Sequence, residues 1–138
     1  MVVTNDNQLF SGSDDGGDHA TVWVWDISMA KRKKCIETLN NHSSTVTSLA
    51  ISEDGWTLLS AGRDKVVTLW DLHDYSNKKT VVTNEAVEAV CAIGHGSSFA
   101  SSLDLYRQQS TKQQNGSLAI QFITVGERGI VRIWSSDR

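Results

Sequence analysis

Residues 57–71 read TLLSAGRDKVVTLWD, with two runs of strand-forming residues on either side of a short polar segment. The runs 57–62 and 66–71 are rich in leucine, valine and threonine, and Arg63-Asp64-Lys65 between them is typical of a tight turn. This arrangement predicts an antiparallel β-hairpin. No stretch of the chain shows the sustained 3.6-residue period that predicts a helix.

The same hairpin pattern recurs at two other places. One copy spans residues 9–27 and ends in VWVWDI, and the other spans residues 122–134 and ends in VRIW. Trp25 and Trp70 stand 45 residues apart, which matches the roughly 40 to 45 residue period of β-propeller repeats. Trp134 follows Trp70 by 64 residues, so an insertion is predicted. The polar, low-complexity segment 99–117 accounts for it as a mobile loop.

The middle copy contains a complete four-stranded unit. Strands are predicted over 46–52, 57–62, 66–71 and 79–83, the order of the antiparallel meander that makes one propeller blade. We therefore predict an all-β fold, a partial propeller of about three four-stranded antiparallel blades, with the first and last incomplete. The predicted blades are 1–40, 41–83 and 84–138. A closed ring needs roughly four to eight blades, so we expect a piece of a larger propeller that, in isolation, self-associates or unfolds at low denaturant.

Several residues carry a resemblance to the WD40-repeat family. Those at the positions of the family's signature dipeptide are Trp25, Asp26, Trp70, Asp71 and Trp134. His42 stands where the family's Gly-His motif has its histidine, although Asn41 replaces the glycine.

The resemblance implies a buried hydrogen-bond network in the second blade. Its members are His42, Ser60, Asp64 and Trp70. The indole donates, the hydroxyl donates and accepts, the imidazole bridges two partners and the carboxylate accepts, so each group can satisfy another where water is excluded. The same residue types occur in hydrolytic triads, but no strand–elbow–helix pattern presents Ser60 as a nucleophile. We expect no catalytic site, and Ser60→Ala is expected to lower stability by about 1 to 3 kcal/mol.

The network is predicted to be incomplete in the third blade. Arg128 stands where the second blade has its aspartate, and Thr83 lies near the place of the histidine, while Thr124 and Trp134 remain.

A closer resemblance covers nearly the whole chain. Segments 60–76 and 122–134 resemble the transducin beta-like protein 3 family, whose members are tandem-propeller components of the small-subunit processome. The resemblance implies a protein-interaction scaffold in the nucleus and nucleolus, supporting pre-rRNA processing and small ribosomal subunit biogenesis. The implied partners are other proteins of a large ribonucleoprotein assembly and the remaining blades of the same propeller. The alternative is a WD40 adaptor in another complex, such as a ubiquitin ligase or a signalling scaffold.

Charge and hydropathy limit the function classes. A net charge of −3 and a pI near 5.7 argue against a general binder of nucleic acids or membrane surfaces, which usually carries a basic excess. No apolar run approaches the roughly 18 residues of a membrane span, and the first ten residues lack signal-peptide features, so an intracellular protein is expected. One basic run comprises Lys31, Arg32, Lys33 and Lys34. We interpret it first as a solvated turn, with a local RNA contact or a nuclear-import element as alternatives.

Cysteine and tryptophan positions complete the predictions. Cys35 and Cys91 are far apart in sequence and are expected to be reduced, buried core residues. Neither the cysteines nor the histidines have a zinc-binding spacing, so no metal and no cofactor is expected. Trp23 alternates with Trp25 along its strand, and we expect one of the pair to pack between blades. Trp56 is expected to pack in the core or between blades, with an exposed anchor for a partner as the alternative.

Overall fold

The structure, a computed structural model, describes residues 1–14, 20–29, 34–93 and 120–136. Within these ranges the chain forms eleven β-strands. They are β1 Val2–Val3, β2 Gln8–Gly12, β3 Ala20–Asp26, β4 Lys34–His42, β5 Val46–Ile51, β6 Thr57–Gly62, β7 Val66–Asp71, β8 Asn77–Val82, β9 Val87–Ile93, β10 Gln121–Gly126 and β11 Val131–Ser135. Within these ranges the chain has no helix long and apolar enough to cross a membrane.

The strands form three antiparallel sheets, and in each sheet strands that are consecutive in sequence pair with one another. The first sheet contains β1 to β4, the second β5 to β8, and the third β9 to β11. In the central hairpin, Thr57 lies opposite Asp71 and Ala61 lies opposite Val67. This architecture confirms the predicted all-β fold.

Strand bounds follow the sequence pattern most closely in the second sheet. There β6 and β7 cover 57–62 and 66–71, while β5 ends at Ile51 and β8 begins at Asn77. In the first sheet, β1 has two residues and β4 continues to His42, past residue 40. The predicted loop 99–117 lies outside the described residues.

Two apolar clusters join the sheets, one at each boundary. The buried members of the first are Phe10, Ala20, Val22, Val24, Leu39, Val46, Leu58 and Trp70. Those of the second are Leu59, Ala61, Val67, Leu69, Val87, Val90 and Phe122. Side chains alternate along a strand, so β6 sends Leu58 to the first cluster and Leu59 to the second. The second sheet is therefore covered on both faces.

Candidate functional site

Ser60 and Trp70 form the centre of a hydrogen-bond network in the second sheet. Trp70 lies opposite Leu58, so its indole reaches diagonally to the residue two positions further along β6. Trp70 Nε1 donates to Ser60 Oγ over 2.8 Å, and both side chains are buried.

His42 connects this pair to Asp64. Its Nε2 lies 2.7 Å from Ser60 Oγ, and its Nδ1 lies 2.9 Å from a carboxylate oxygen of Asp64. The same carboxylate accepts the backbone N–H of Ser43 over 3.0 Å. Because His42 ends β4 of the first sheet, the network ties the outer strand of one sheet to the central hairpin of the next.

One arrangement of protons satisfies the whole network. An indole nitrogen only donates, so Ser60 Oγ accepts from Trp70 and gives its own proton to His42 Nε2. His42 then carries a proton on Nδ1 and donates it to Asp64. These distances resemble those of a hydrolytic triad, but Ser60 is fully buried and its oxygen is already engaged by two partners. The arrangement forms a buried hydrogen-bond network between β4 and the hairpin of β6 and β7.

Gly62 leaves the space that this hydrogen-bond network occupies. A Cβ at Gly62 would lie 2.7 Å from Asp64 Oδ1, 2.8 Å from the carbonyl oxygen of Thr45 and 3.0 Å from His42 Nδ1. All three distances are shorter than ordinary van der Waals contacts. Glycine is therefore required at this strand end because the neighbouring atoms leave no space for a side chain.

The bond from tryptophan to a hydroxyl occurs in all three sheets. Trp25 Nε1 donates to Ser11 Oγ over 2.9 Å, and Trp134 Nε1 donates to Thr124 Oγ1 over 2.8 Å. Both pairs have the same diagonal register as the pair in the second sheet. The third strand of each sheet is thus fixed to the second by its side chains as well as by its backbone.

In the third sheet an ion pair lies beside the glycine that ends the second strand, as His42 and Asp64 do in the second sheet. The carboxylate of Glu85 is largely buried and pairs with the guanidinium of Arg132. A Cβ at Gly126 would clash with this carboxylate, so the glycine has the same role as in the second sheet. Thr83 is buried and donates to the backbone carbonyl of Glu85 over 2.8 Å, while Arg128 is exposed.

Sequence reasoning missed this ion pair. The available signal was weak: Glu85 lies two residues before β9, and Arg132 lies two residues before Trp134 on β11. The two are 47 residues apart, so only the pairing of the strands brings them together.

The aspartates of the signature dipeptide lie outside the network. Asp26 accepts the backbone N–H of Ser28 over 2.8 Å, and Asp71 accepts that of His73 over 2.8 Å. The Ser28 hydroxyl and N–H lower the pKa of Asp26, and the His73 N–H lowers the pKa of Asp71. Both carboxylates therefore stabilise the turn that follows the third strand of a sheet.

The remaining predicted residues do not gather into a site. Lys31, Arg32 and Lys33 lie outside the described residues, and Lys34 begins β4 with its side chain exposed. Among the described residues, no group of three or more His, Cys, Asp or Glu could hold a metal ion.

Both cysteines are free, but the expectation that they are buried is wrong. Cys35 is half-buried and Cys91 is exposed. Cys35 lies near the start of the outermost strand of the first sheet, and Cys91 lies on a face of the third sheet that no described strand covers.

The tryptophans outside the network also differ from expectation. Trp23 and Trp25 lie on one face of β3, because residues two apart on a strand point the same way, and their ring centroids are 6.0 Å apart. Both are half-buried, so the predicted packing of one of them between blades is not seen within the described residues.

Trp56 is 58% exposed, which corrects the prediction that it is buried, since it lies at the end of the turn between β5 and β6. The ring centroids of Trp56 and His73 are 6.4 Å apart, and the two rings meet edge-on.

Trp56 lines a groove between the first and second sheets. The walls are residues 3–6 and 51–56, and the groove encloses about 320 Å³. Its acidic residues are Asp6, Glu53 and Asp54. Asp54 accepts hydrogen bonds from Ser52 Oγ and the backbone N–H of Trp56, so it shapes the turn on which the indole is presented.

Comparison with known proteins agrees with this geometry. The family model described as "WD domain, G-beta repeat" matches residues 33–71, which contain β4 to β7. The matched repeat therefore joins the outer strand of one sheet to three strands of the next, the same elements that the His42 network connects.

Two curated relatives and one solved structure illustrate the similarity. Transducin beta-like protein 3 of Rattus norvegicus is 35% identical over 93% of this chain and 14% of its own length. Nuclear distribution protein PAC1-2 of Uncinocarpus reesii is 31% identical over 98% of this chain and 28% of its own length. The crystal structure of RRP9 WD40 repeats superposes with a TM-score of 0.65 at 22% identity, covering 96% of this chain and 33% of that one. The chain thus spans a small part of the relatives that it matches. Residues 33–71 therefore form a WD40 repeat, and the chain has a partial WD40-type β-propeller fold.

Proposed function

We propose that this chain is a protein-interaction scaffold that supports pre-rRNA processing and small ribosomal subunit biogenesis. The observation that carries the proposal is the similarity to transducin beta-like protein 3 over 93% of the chain. The resemblance to that family implies the small-subunit processome. The proposed location is therefore the nucleolus, and the proposed partners are other proteins of that ribonucleoprotein assembly.

The chemistry of the described surface supports binding rather than catalysis. The polar residues that resemble a triad are buried and satisfy one another, whereas Trp56 presents most of its indole to solvent beside a groove. Exposed aromatic residues are frequent anchors at protein interfaces. The groove is lined by Asp6, Glu53 and Asp54, whose charge repels phosphate, so the proposed occupant is a protein segment rather than an RNA backbone.

The proposal is tested by co-purification of the tagged chain from nucleolar extract, with mass spectrometry of the bound proteins. We expect processome proteins with the unsubstituted chain and at least a tenfold loss with Trp56→Ala, since an anchor residue contributes about 2 kcal/mol or more to binding. Val82→Ala is the matched control, because Val82 is also an exposed apolar residue, 62% accessible, on another strand. Recovery of ubiquitin-ligase or signalling components in place of processome proteins would favour the adaptor alternative.

A further inference from the structure

Each boundary between sheets joins two different kinds of face. We name the face that carries the network tryptophan the rear face of a sheet, and the opposite face its forward face. The rear face of the second sheet, with Leu58 and Trp70, packs on the forward face of the first sheet, with Val22 and Val24. The rear face of the third sheet, with Phe122, packs in the same way on the forward face of the second.

The rear face of the first sheet has no sheet against it among the described residues. Its residues Leu9, Ser11 and Trp25 are half-buried, whereas their counterparts Leu58, Ser60 and Trp70 in the second sheet are buried. The indole N–H on this face already donates to a hydroxyl of its own sheet. The free rear face therefore offers apolar surface and needs no polar group from a partner.

The forward face of the third sheet likewise has no sheet against it in the part of the chain that the structure describes. Val131 is 61% exposed and Ile133 is 72% exposed. The residues in the same register in the first sheet, Val22 and Val24, are fully buried, because the second sheet covers them. Val131 and Ile133 are exposed to solvent, so they lack the burial of apolar surface that stabilises the two internal boundaries.

The chain thus carries both halves of the interface that it forms twice internally. We propose that a second copy of this chain covers both faces, with the rear face of each copy on the forward face of the other. The three sheets of the described residues are too few to close a propeller, which needs roughly four to eight blades, whereas two copies supply six. A contact between two different patches closes into a ring when its rotation permits, and the proposed dimer repeats the contact that the two internal boundaries make.

The first test is the molar mass of the unsubstituted chain in reducing buffer, by sedimentation or light scattering. We expect twice the 15.2 kDa chain mass over a range of micromolar concentrations. A monomer would show that these faces await a different partner and would overturn the proposal. A ladder of larger polymers would overturn ring closure.

The second test identifies the faces that meet. Leu9→Arg blocks the rear face and Ile133→Arg blocks the forward face, and both residues are accessible enough to accept arginine in the single chain. Each variant alone is expected to be monomeric, because a dimer would bury an unpaired charge at the boundary. Val82→Arg, on the outer strand β8 and on neither free face, is expected to leave the dimer intact.

A mixture of the two blocked variants tests directly whether the rear face of one chain pairs with the forward face of another. The Leu9→Arg chain keeps a sound forward face and the Ile133→Arg chain keeps a sound rear face, so their mixture is expected to recover the dimer mass through one intact boundary. Like-with-like pairing of faces predicts instead that at least one variant is dimeric on its own, because each variant keeps one unsubstituted face, and that result would refute the head-to-tail arrangement. Circular dichroism of each variant establishes folding, and the mass of the unsubstituted chain remains decisive if a variant does not fold.

Discussion

Replacing Ser60 by alanine removes one oxygen and leaves two buried polar groups without a partner. Trp70 Nε1–H and His42 Nε2 both bond to Ser60 Oγ, at 2.8 and 2.7 Å, and all three side chains are buried. An orphaned buried group costs about 1 to 3 kcal/mol, while alanine leaves almost no cavity in place of serine. Because two groups lose their partner, we expect Ser60→Ala to lower the free energy of unfolding by at least about 2 kcal/mol, in the upper part of the range of about 1 to 3 kcal/mol expected from the sequence.

The first sheet provides a matched control. Ser11 accepts the indole N–H of Trp25 in the same register, but both side chains are half-buried, so water can replace the lost hydroxyl. Ser11→Ala is expected to cost about 1 kcal/mol or less. The assay is urea unfolding at one fixed protein concentration, followed by circular dichroism. Equal losses for the two variants would refute the argument, because burial would then not set the cost.

Three further predictions use the same unfolding assay. Gly62→Ala is expected to lower the free energy of unfolding by about 2 kcal/mol or more, because the new methyl group would overlap Asp64 and His42. An unchanged unfolding midpoint would contradict this steric explanation. Arg132→Ala is expected to lower the free energy of unfolding by about 2 kcal/mol. This is less than the roughly 3 to 5 kcal/mol lost when a fully buried pair is broken, because the guanidinium is partly exposed. Arg63→Ala breaks an exposed pair and should lower the free energy of unfolding by less than about 0.5 kcal/mol. The His73 N–H lowers the pKa of Asp71, so this carboxylate contributes stability above about pH 4 that is lost as the pH falls through its folded-state pKa. Asp71→Asn should therefore make the fall in stability between pH 5 and 3 shallower, and an unchanged pH profile would count against this contribution.

The second sheet was the most predictable part of the chain because its signals are local. Turn residues and alternating apolar positions placed β6 and β7 at the predicted bounds. The hydroxyl partner of Trp70 was implied by the family resemblance, and the same diagonal register places a hydroxyl beside each of the other two network tryptophans. The outer strand β4 was harder to delimit, because its residues are mostly exposed and lack a clear apolar alternation.

Some features depend on contacts between residues far apart in sequence. The pair of Glu85 and Arg132 forms because β9 and β11 flank the same central strand, and no local pattern specifies that meeting. The exposure of Trp56 and Cys91 depends on whether another sheet covers them, which sequence periodicity does not reveal.

Strand propensity, turn chemistry and the spacing of the tryptophans were sufficient to specify three successive β-meanders, because each depends on neighbours within a few residues or on one repeat length. The identity of the covered faces was settled only by the packing of one sheet on another. Burial is a property of what lies against a surface, and for Val131 and Ile133 no sheet of the described chain lies there.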